Sequence, residues 1–228
     1  MSSIWTMLRI MLCVLPVVGL VGASNLSTAI IILGIAAVLI FVASPRYAQF
    51  IWMGVLGCGF MAVFLALESY RLERIAIWRN PEQYEKGYQT LQGLYAIGSG
   101  GFFGRGLGNS IQKLGSVPEA QNDMIFSIIC EELGIFGGIF VLILFGYLLY
   151  RLFFIAQNAP DLFGSLIVTG IFIHIALQVI LNIAVVLNLM PNTGVTLPFI
   201  SYGGTSIVFL MSEMAIALSV ARQIKFQE

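Results

Sequence analysis

The chain has 228 residues, of which 59% are hydrophobic and only 10% charged; with a mean hydropathy of +0.95 this excludes an ordinary soluble domain and points to an integral membrane protein. Eleven Lys and Arg balance eleven Asp and Glu, so no basic surface for nucleic acid is expected. Cys13, Cys58 and Cys130 are odd in number, far apart and set in apolar sequence, which argues against both a disulfide framework and a cysteine metal site.

Windows of about 20 apolar residues mark spanning helices, and they fall at 4–23, 26–43, 48–68, 136–156, 164–189 and 199–221. The expected architecture is an all-α, polytopic membrane bundle of six spans in three parts. Residues 1–68 carry three spans, 69–135 form a charged, glycine-rich loop with short helices, and 136–228 carry three spans and a short tail. Arg9 followed by "IMLCVLPVVGLVGAS" has features of a secretory signal, but the spans directly behind it favour a retained helix. Arg9, Arg46, Arg151, Arg222 and Lys225 share one side if the spans alternate. Positive charge marks that side as cytoplasmic, which places 69–135 outside the cell. Trp5, Tyr47, Trp52, Tyr70 and Trp78 lie near span ends, as interfacial aromatics do.

Within the outer segment, "YRLERIAIWRN", residues 70–80, has Leu72, Ile75 and Trp78 at helical spacing among Arg71, Arg74 and Arg79, which suits a helix in the headgroup plane. Next comes "GSGGFFGRGLGNS", residues 98–110. It lacks the Gly-Lys-Ser/Thr of a nucleotide loop. It reads either as a flexible turn at the membrane surface or as a backbone nest that holds an anion together with Arg105 and Lys113. The stretch "VPEAQNDMIFSIICEELG", residues 117–134, then sets Glu119, Asp123, Glu131 and Glu132 beside apolar sequence. Pro118 suits the first position of a helix, which would make Glu119 and Asp123 an i, i+4 pair on one face. Such a pair reads as a surface helix end, a poised base, or a holder of a divalent cation such as Mg²⁺ or Mn²⁺.

At membrane depth His174, Gln178 and Asn182 recur every four residues. They form a stripe that either bonds neighbouring helices or lines a path. Glu213, near the middle of the last span, is either a structural partner or a cavity lining.

Three stretches together resemble the SEDS family (shape, elongation, division and sporulation), the FtsW, RodA and SpoVE type of membrane protein. They are "GYQTLQGLYAIGSGGFFGRGLGNSIQKLGSVPEAQNDMIFSIICEELG" at 87–134, "NTGVTLPFISYGGTS" at 192–206 and "NLSTAIIILGIA" at 25–36. The likeness covers nearly the whole chain, and "TLPFISYGG" leans toward the division and sporulation branch. It implies a peptidoglycan glycosyltransferase that polymerises lipid II at the outer face of the bacterial cytoplasmic membrane beside a class B penicillin-binding protein and other division proteins.

The acidic residue that the family requires falls on Asp123, with Glu119, Lys113 and Arg105 also matching; Asp123 and Glu119 are the expected catalytic and cation-holding pair. Arg105, Lys113, Gly104, Gly106, Ser201 and Gly203 are expected at the lipid-linked substrate, and His174, Gln178 and Glu213 at a cavity. The chain departs from the pattern in having about six spans where the family usually has ten. It also has Gln121 and Asn122 in place of a His and a Thr, and Ser24 and Asn25 in place of Pro and Asp. Two other readings compete: a flippase or transporter of lipid-linked sugars, suggested by His174 and Glu213, and a non-catalytic membrane scaffold, suggested by the shorter helix set. Acid outside the bilayer favours polymerisation; acid lining a midplane cavity favours transport.

Overall fold

A computed structural model describes residues 4–43, 54, 55, 57, 59, 69–112 and 120–224. The protein is all-α, with no strand among the described residues. Helix α1 spans Ile4–Ser24 and α2 spans Leu26–Ala43. Between them, Asn25 Oδ1 accepts the N–H of Thr28 at 3.2 Å. This is an N-cap, a task Asn and Asp do about equally well. The expected third span at 48–68 lies largely outside the described residues; positions 54, 55, 57 and 59 within it are helical. Cys58, Arg46, Tyr47, Trp52 and Lys225 also fall outside them.

The outer segment begins with α3, Ser69–Arg79, and continues through single 3₁₀ turns at Pro81–Gln83 and Glu85–Gly87 into α4, Tyr88–Gly100. Helix α5 covers Ile125–Asn158 with a break at Gly134 (φ 71°, ψ −168°). Two helical arms result, and the longer one begins where the fourth span was expected. Helix α6, Leu162–Val186, and α7, Gly204–Arg222, complete the chain. Asp161 Oδ1 accepts the N–H of Gly164 at 3.2 Å and caps α6.

Among the described residues four helices, α2, α5, α6 and α7, are long and apolar enough to cross a membrane. Helix α5 leaves Phe136, Phe140 and Ile143 exposed along its side, a surface suited to lipid.

The chain divides into two compact units. One comprises Met1–Ser69, Tyr150–Leu177 and Ser212–Glu228; the other comprises Tyr70–Leu149 and Gln178–Met211. In the first, α1 packs on α2. A methyl group at Gly34 would come 2.7 Å from Leu177 Cδ1, so α2 and α6 approach closely. Close approach through small residues is how apolar helices associate where lipid removes the hydrophobic drive.

The second unit carries the described acids and glycines of the outer segment. Its centre holds Ala96, Met124, Val186 and Leu197, all essentially inaccessible to solvent. Buried polar groups tie its segments together: Asn182, fully buried, donates through Nδ2 to the carbonyls of Asp123 at 2.7 Å and Val195 at 2.8 Å.

Candidate active site

The stretch before α5 is not the helix expected from Pro118. Residues 120–124 form turns, and α5 starts only at Ile125. The carbonyls that a helix would use internally are bonded elsewhere. Gln121 O accepts the N–H of Tyr202 at 2.8 Å, Asn122 O accepts the hydroxyl of Ser201 at 2.6 Å, and Asp123 O accepts the amide of Asn182. The tertiary partners outcompete helix propensity, and Asp123 sits in a clamped turn instead of on a helical face. Glu119 and Lys113 lie outside the described residues.

Asp123 is 8% exposed, and its Oδ1 accepts the Gln89 amide at 3.1 Å. Gln89 Oε1 in turn accepts the Asn192 amide at 3.1 Å, so a file of amides orients the carboxylate. Asp123 lines a cavity of about 290 Å³ with Arg74, Trp78, Lys86, Gln89 and Asn192. The cavity wall is built by side-chain bonds. Trp78 Nε1 donates to Asn188 O at 2.9 Å, and Arg74 Nη1 donates to Asn192 O at 3.1 Å. Trp78 is therefore anchored into the unit's own framework and is more than a marker of the interface. Asn188 adopts φ 55°, a left-handed conformation that Asn tolerates better than most residues. Lys86 Nζ lies 3.0 Å from Glu73 Oε1, an ion pair whose side chains are 71% and 42% exposed.

The glycine-rich loop has a different anion. Its N–H groups point at the chain's own carboxyl groups: Gly108 N reaches Glu132 Oε2 at 3.0 Å, Ile111 N reaches Glu131 Oε1 at 3.2 Å, and Gln112 N reaches Glu131 Oε2 at 3.4 Å. The Ser110 hydroxyl also donates to Glu131, which is 0% exposed. Arg105 Nε lies 3.9 Å from Glu131 with its side chain 37% exposed. Gly104 N and Gly106 N are bonded to the carbonyls of Gly100 and Glu132, both at 2.9 Å.

The loop closes on the break in α5. A Cβ at Gly104 would collide with Glu132 O, and one at Gly134 with Phe102 O and Gly104 N. The described N–H donors of this loop enclose Glu131 and Glu132.

Ser201, expected at the substrate, has its hydroxyl committed to Asn122 O and accepts the Leu197 N–H at 2.8 Å. Gly203 directly follows Tyr202, whose N–H holds Gln121 O. His174 Nδ1 lies 2.9 Å from Glu213 Oε1, so these two meet within the first unit, whereas Asn182 of the same stripe serves Asp123 in the second. Gln178 is half-buried.

Sequence reasoning missed Arg74, Lys86, Gln89 and Asn192 as site residues. A signal was present for two of them: Gln89 stands near the head of the first family stretch and Asn192 opens the second.

Among the described residues no three His, Cys, Asp or Glu side chains converge as a metal site, and Asp123 meets an amide. The described residues alone do not build a cation site.

Residues 2–226 match the cell cycle protein family of FtsW, RodA and SpoVE. The chain is 45% identical over 205 residues to the stage V sporulation protein E of Bacillus subtilis, covering 89% of this chain and 56% of that protein. It is 46% identical over 164 residues to the probable peptidoglycan glycosyltransferase FtsW of the same organism, covering 71% of this chain and 41% of that protein. Among solved structures, a chain of a peptidoglycan synthase complex that coordinates polymerization and crosslinking matches all of this chain and 65% of its own length, with a TM-score of 0.77 and 28% identity. The rod shape determining protein RodA of Thermus thermophilus matches with a TM-score of 0.66 and 28% identity over all of this chain and 60% of its own. The chain spans about half the length of the curated relatives it matches. With all but three of its residues matched, it belongs to the FtsW, RodA and SpoVE family of cell cycle proteins.

Proposed function

We propose that this chain carries the glycosyltransferase centre of a peptidoglycan polymerase that acts on lipid II in cell division or sporulation. The observation that carries the reading is Asp123, a nearly buried carboxylate on the wall of a cavity that also holds Arg74 and Lys86. In the proposed reaction a sugar hydroxyl oxygen forms a bond to an anomeric carbon. The bond from that carbon to the lipid diphosphate breaks, its electron pair leaves with the phosphate oxygen, and the hydroxyl proton passes to Asp123. Gln89 holds the carboxylate in place, and the Asn182 amide fixes the backbone beneath it.

The reading includes a class B penicillin-binding protein as partner and an extracytoplasmic position for residues 69–135. The Lys and Arg distribution supports that orientation. Phe103 is 84% exposed, so Phe103→Cys should react with an impermeant thiol reagent in intact cells. Labelling only after permeabilisation would reverse the orientation.

The central test is glycan-strand formation from labelled lipid II by the purified chain with its penicillin-binding partner, the transpeptidase blocked by a β-lactam. Asp123→Asn keeps shape but takes no proton, and polymer should fall by about 10²–10⁴-fold, the usual weight of a general base. Equal polymer from the variant would end the catalytic assignment, and no polymer from the wild-type chain would favour the scaffold reading. The His174–Glu213 pair is what a transport reading would use; under the polymerase reading Glu213→Gln leaves the chemical step intact. A divalent cation held by Asp123 and Glu119 is proposed for the same site, and polymerisation that survives EDTA would remove it.

A further inference from the structure

We infer that Arg74 and Lys86 form the anion subsite of the Asp123 cavity and that its ligand is the diphosphate of a lipid-linked sugar; the inference rests on the polymerase reading above. Arg105 sits in a glycine-rich loop, as a phosphate binder would, but that loop's donors already enclose Glu131 and Glu132. The Arg105 side chain lies beside the buried Glu131 carboxyl. An incoming phosphate there would meet two carboxylates of like charge.

The Asp123 cavity has the opposite balance. Arg74 and Lys86 both line it, and Asp123 is the one carboxylate among its described lining residues. Among the described lining residues two cations thus face one carboxylate, in a partly enclosed space where low-dielectric walls focus the field. The Asn192 carbonyl holds Arg74 at that wall, and a guanidinium offers five donors in a planar fork that suits phosphate oxygens. Lys86 is engaged with Glu73, which does not line the cavity. So exposed an ion pair contributes little, and the ammonium can exchange it for a diphosphate at little cost.

Placing the diphosphate here also sets it beside the base. The oxygen that gains charge as the glycosidic bond breaks then faces cations already in position, the arrangement that stabilises a departing anion. Trp78 and Asn188 on the same wall offer a sugar an apolar ring and a polar side chain.

Binding to the purified chain tests this directly, with undecaprenyl pyrophosphate in phosphatidylcholine nanodiscs and inorganic pyrophosphate in free solution as the two probes. Arg74→Gln and Lys86→Gln should each weaken binding of the lipid probe about tenfold, in line with the loss of a charge-assisted hydrogen bond. Arg79→Gln, on the same helix but not at the cavity, should stay within about twofold. Asp123→Asn removes the like charge and should tighten binding while it abolishes polymerisation.

Lys86 is exposed, so its variant folds and keeps the test decisive if Arg74→Gln does not. A parallel but weaker response with inorganic pyrophosphate assigns recognition to the phosphates; lipid binding that ignores both substitutions assigns it to the acyl chain and overturns the inference. Loss of binding in Arg105→Gln with retention in both cavity variants overturns it as well. If cavity variants bind normally and Asp123→Asn still makes no polymer, the subsite is wrong and the polymerase reading stands. If the cavity variants lose binding and Asp123→Asn polymerises normally, the subsite stands without the base.

Discussion

Glu131 and Asp123 lie in one short stretch of sequence, both nearly or fully buried, yet they have opposite surroundings. Glu131 is enclosed by the hydroxyl of Ser110 and the N–H groups of Ile111 and Gln112, with Arg105 alongside. Asp123 faces a cavity, held in place by a side-chain amide and by its own backbone carbonyl. A carboxylate that backbone donors enclose costs several kcal/mol to strip and has no room for a ligand, so it organises structure. A carboxylate on a cavity wall beside cations can exchange a proton with whatever enters. Burial alone does not separate the two roles; the identity of the neighbours does.

The widest gap should appear between Glu131→Gln and Asp123→Asn in thermal unfolding of the detergent-purified chain. Each buried donor left without an acceptor costs about 1–3 kcal/mol, and Glu131 serves several. Its substitution should therefore remove a large part of a stability that is commonly about 5–15 kcal/mol in all. Asp123→Asn should leave the midpoint nearly unchanged. Equal midpoints for the two variants would erase the distinction.

Gly134→Ala comes next. With φ 71° and ψ −168°, a region essentially restricted to glycine, strain alone costs about 1–3 kcal/mol, and the new methyl meets backbone that cannot give way. Limited proteolysis should then cut within residues 101–112; an intact loop in this variant would show that the clasp tolerates a side chain.

Asn182→Ala should cost about 1–3 kcal/mol by stranding the buried carbonyls of Asp123 and Val195, and polymerisation should fall with it because the turn that carries the base loosens. A stability loss with full activity would show that Asp123 needs no such support.

Trp78→Phe is the mildest change. It keeps the ring and removes the indole bond to Asn188, about 0.5–1.5 kcal/mol, and the midpoint should drop by no more than a few degrees.

Apolar windows of about 20 residues were enough to locate the four described helices that are long and apolar enough to cross a membrane, because a helix in lipid must be both. The expected spans at 26–43 and 164–189 correspond closely to α2 and α6. The motif stretches likewise carried Asp123, Gln89 and Asn192, although only the first was singled out. The helix expected from Pro118 failed at residues 120–124 for a definite reason. Local preference there is outweighed by hydrogen bonds from Asn182, Ser201 and Tyr202, which lie 59, 79 and 81 positions away from their partners. No window along the chain contains both ends of those bonds.

Composition and pattern by themselves thus determined a membrane-embedded, all-α chain with an acidic, glycine-rich segment between apolar windows, since each of those properties is a local sum over neighbouring residues. Tertiary structure alone decided which acid is enclosed and which faces a cavity, and which cations stand beside it. Arg74, Lys86 and Asp123 come from separate segments, and their charges act on one another through space, at distances that sequence separation does not record.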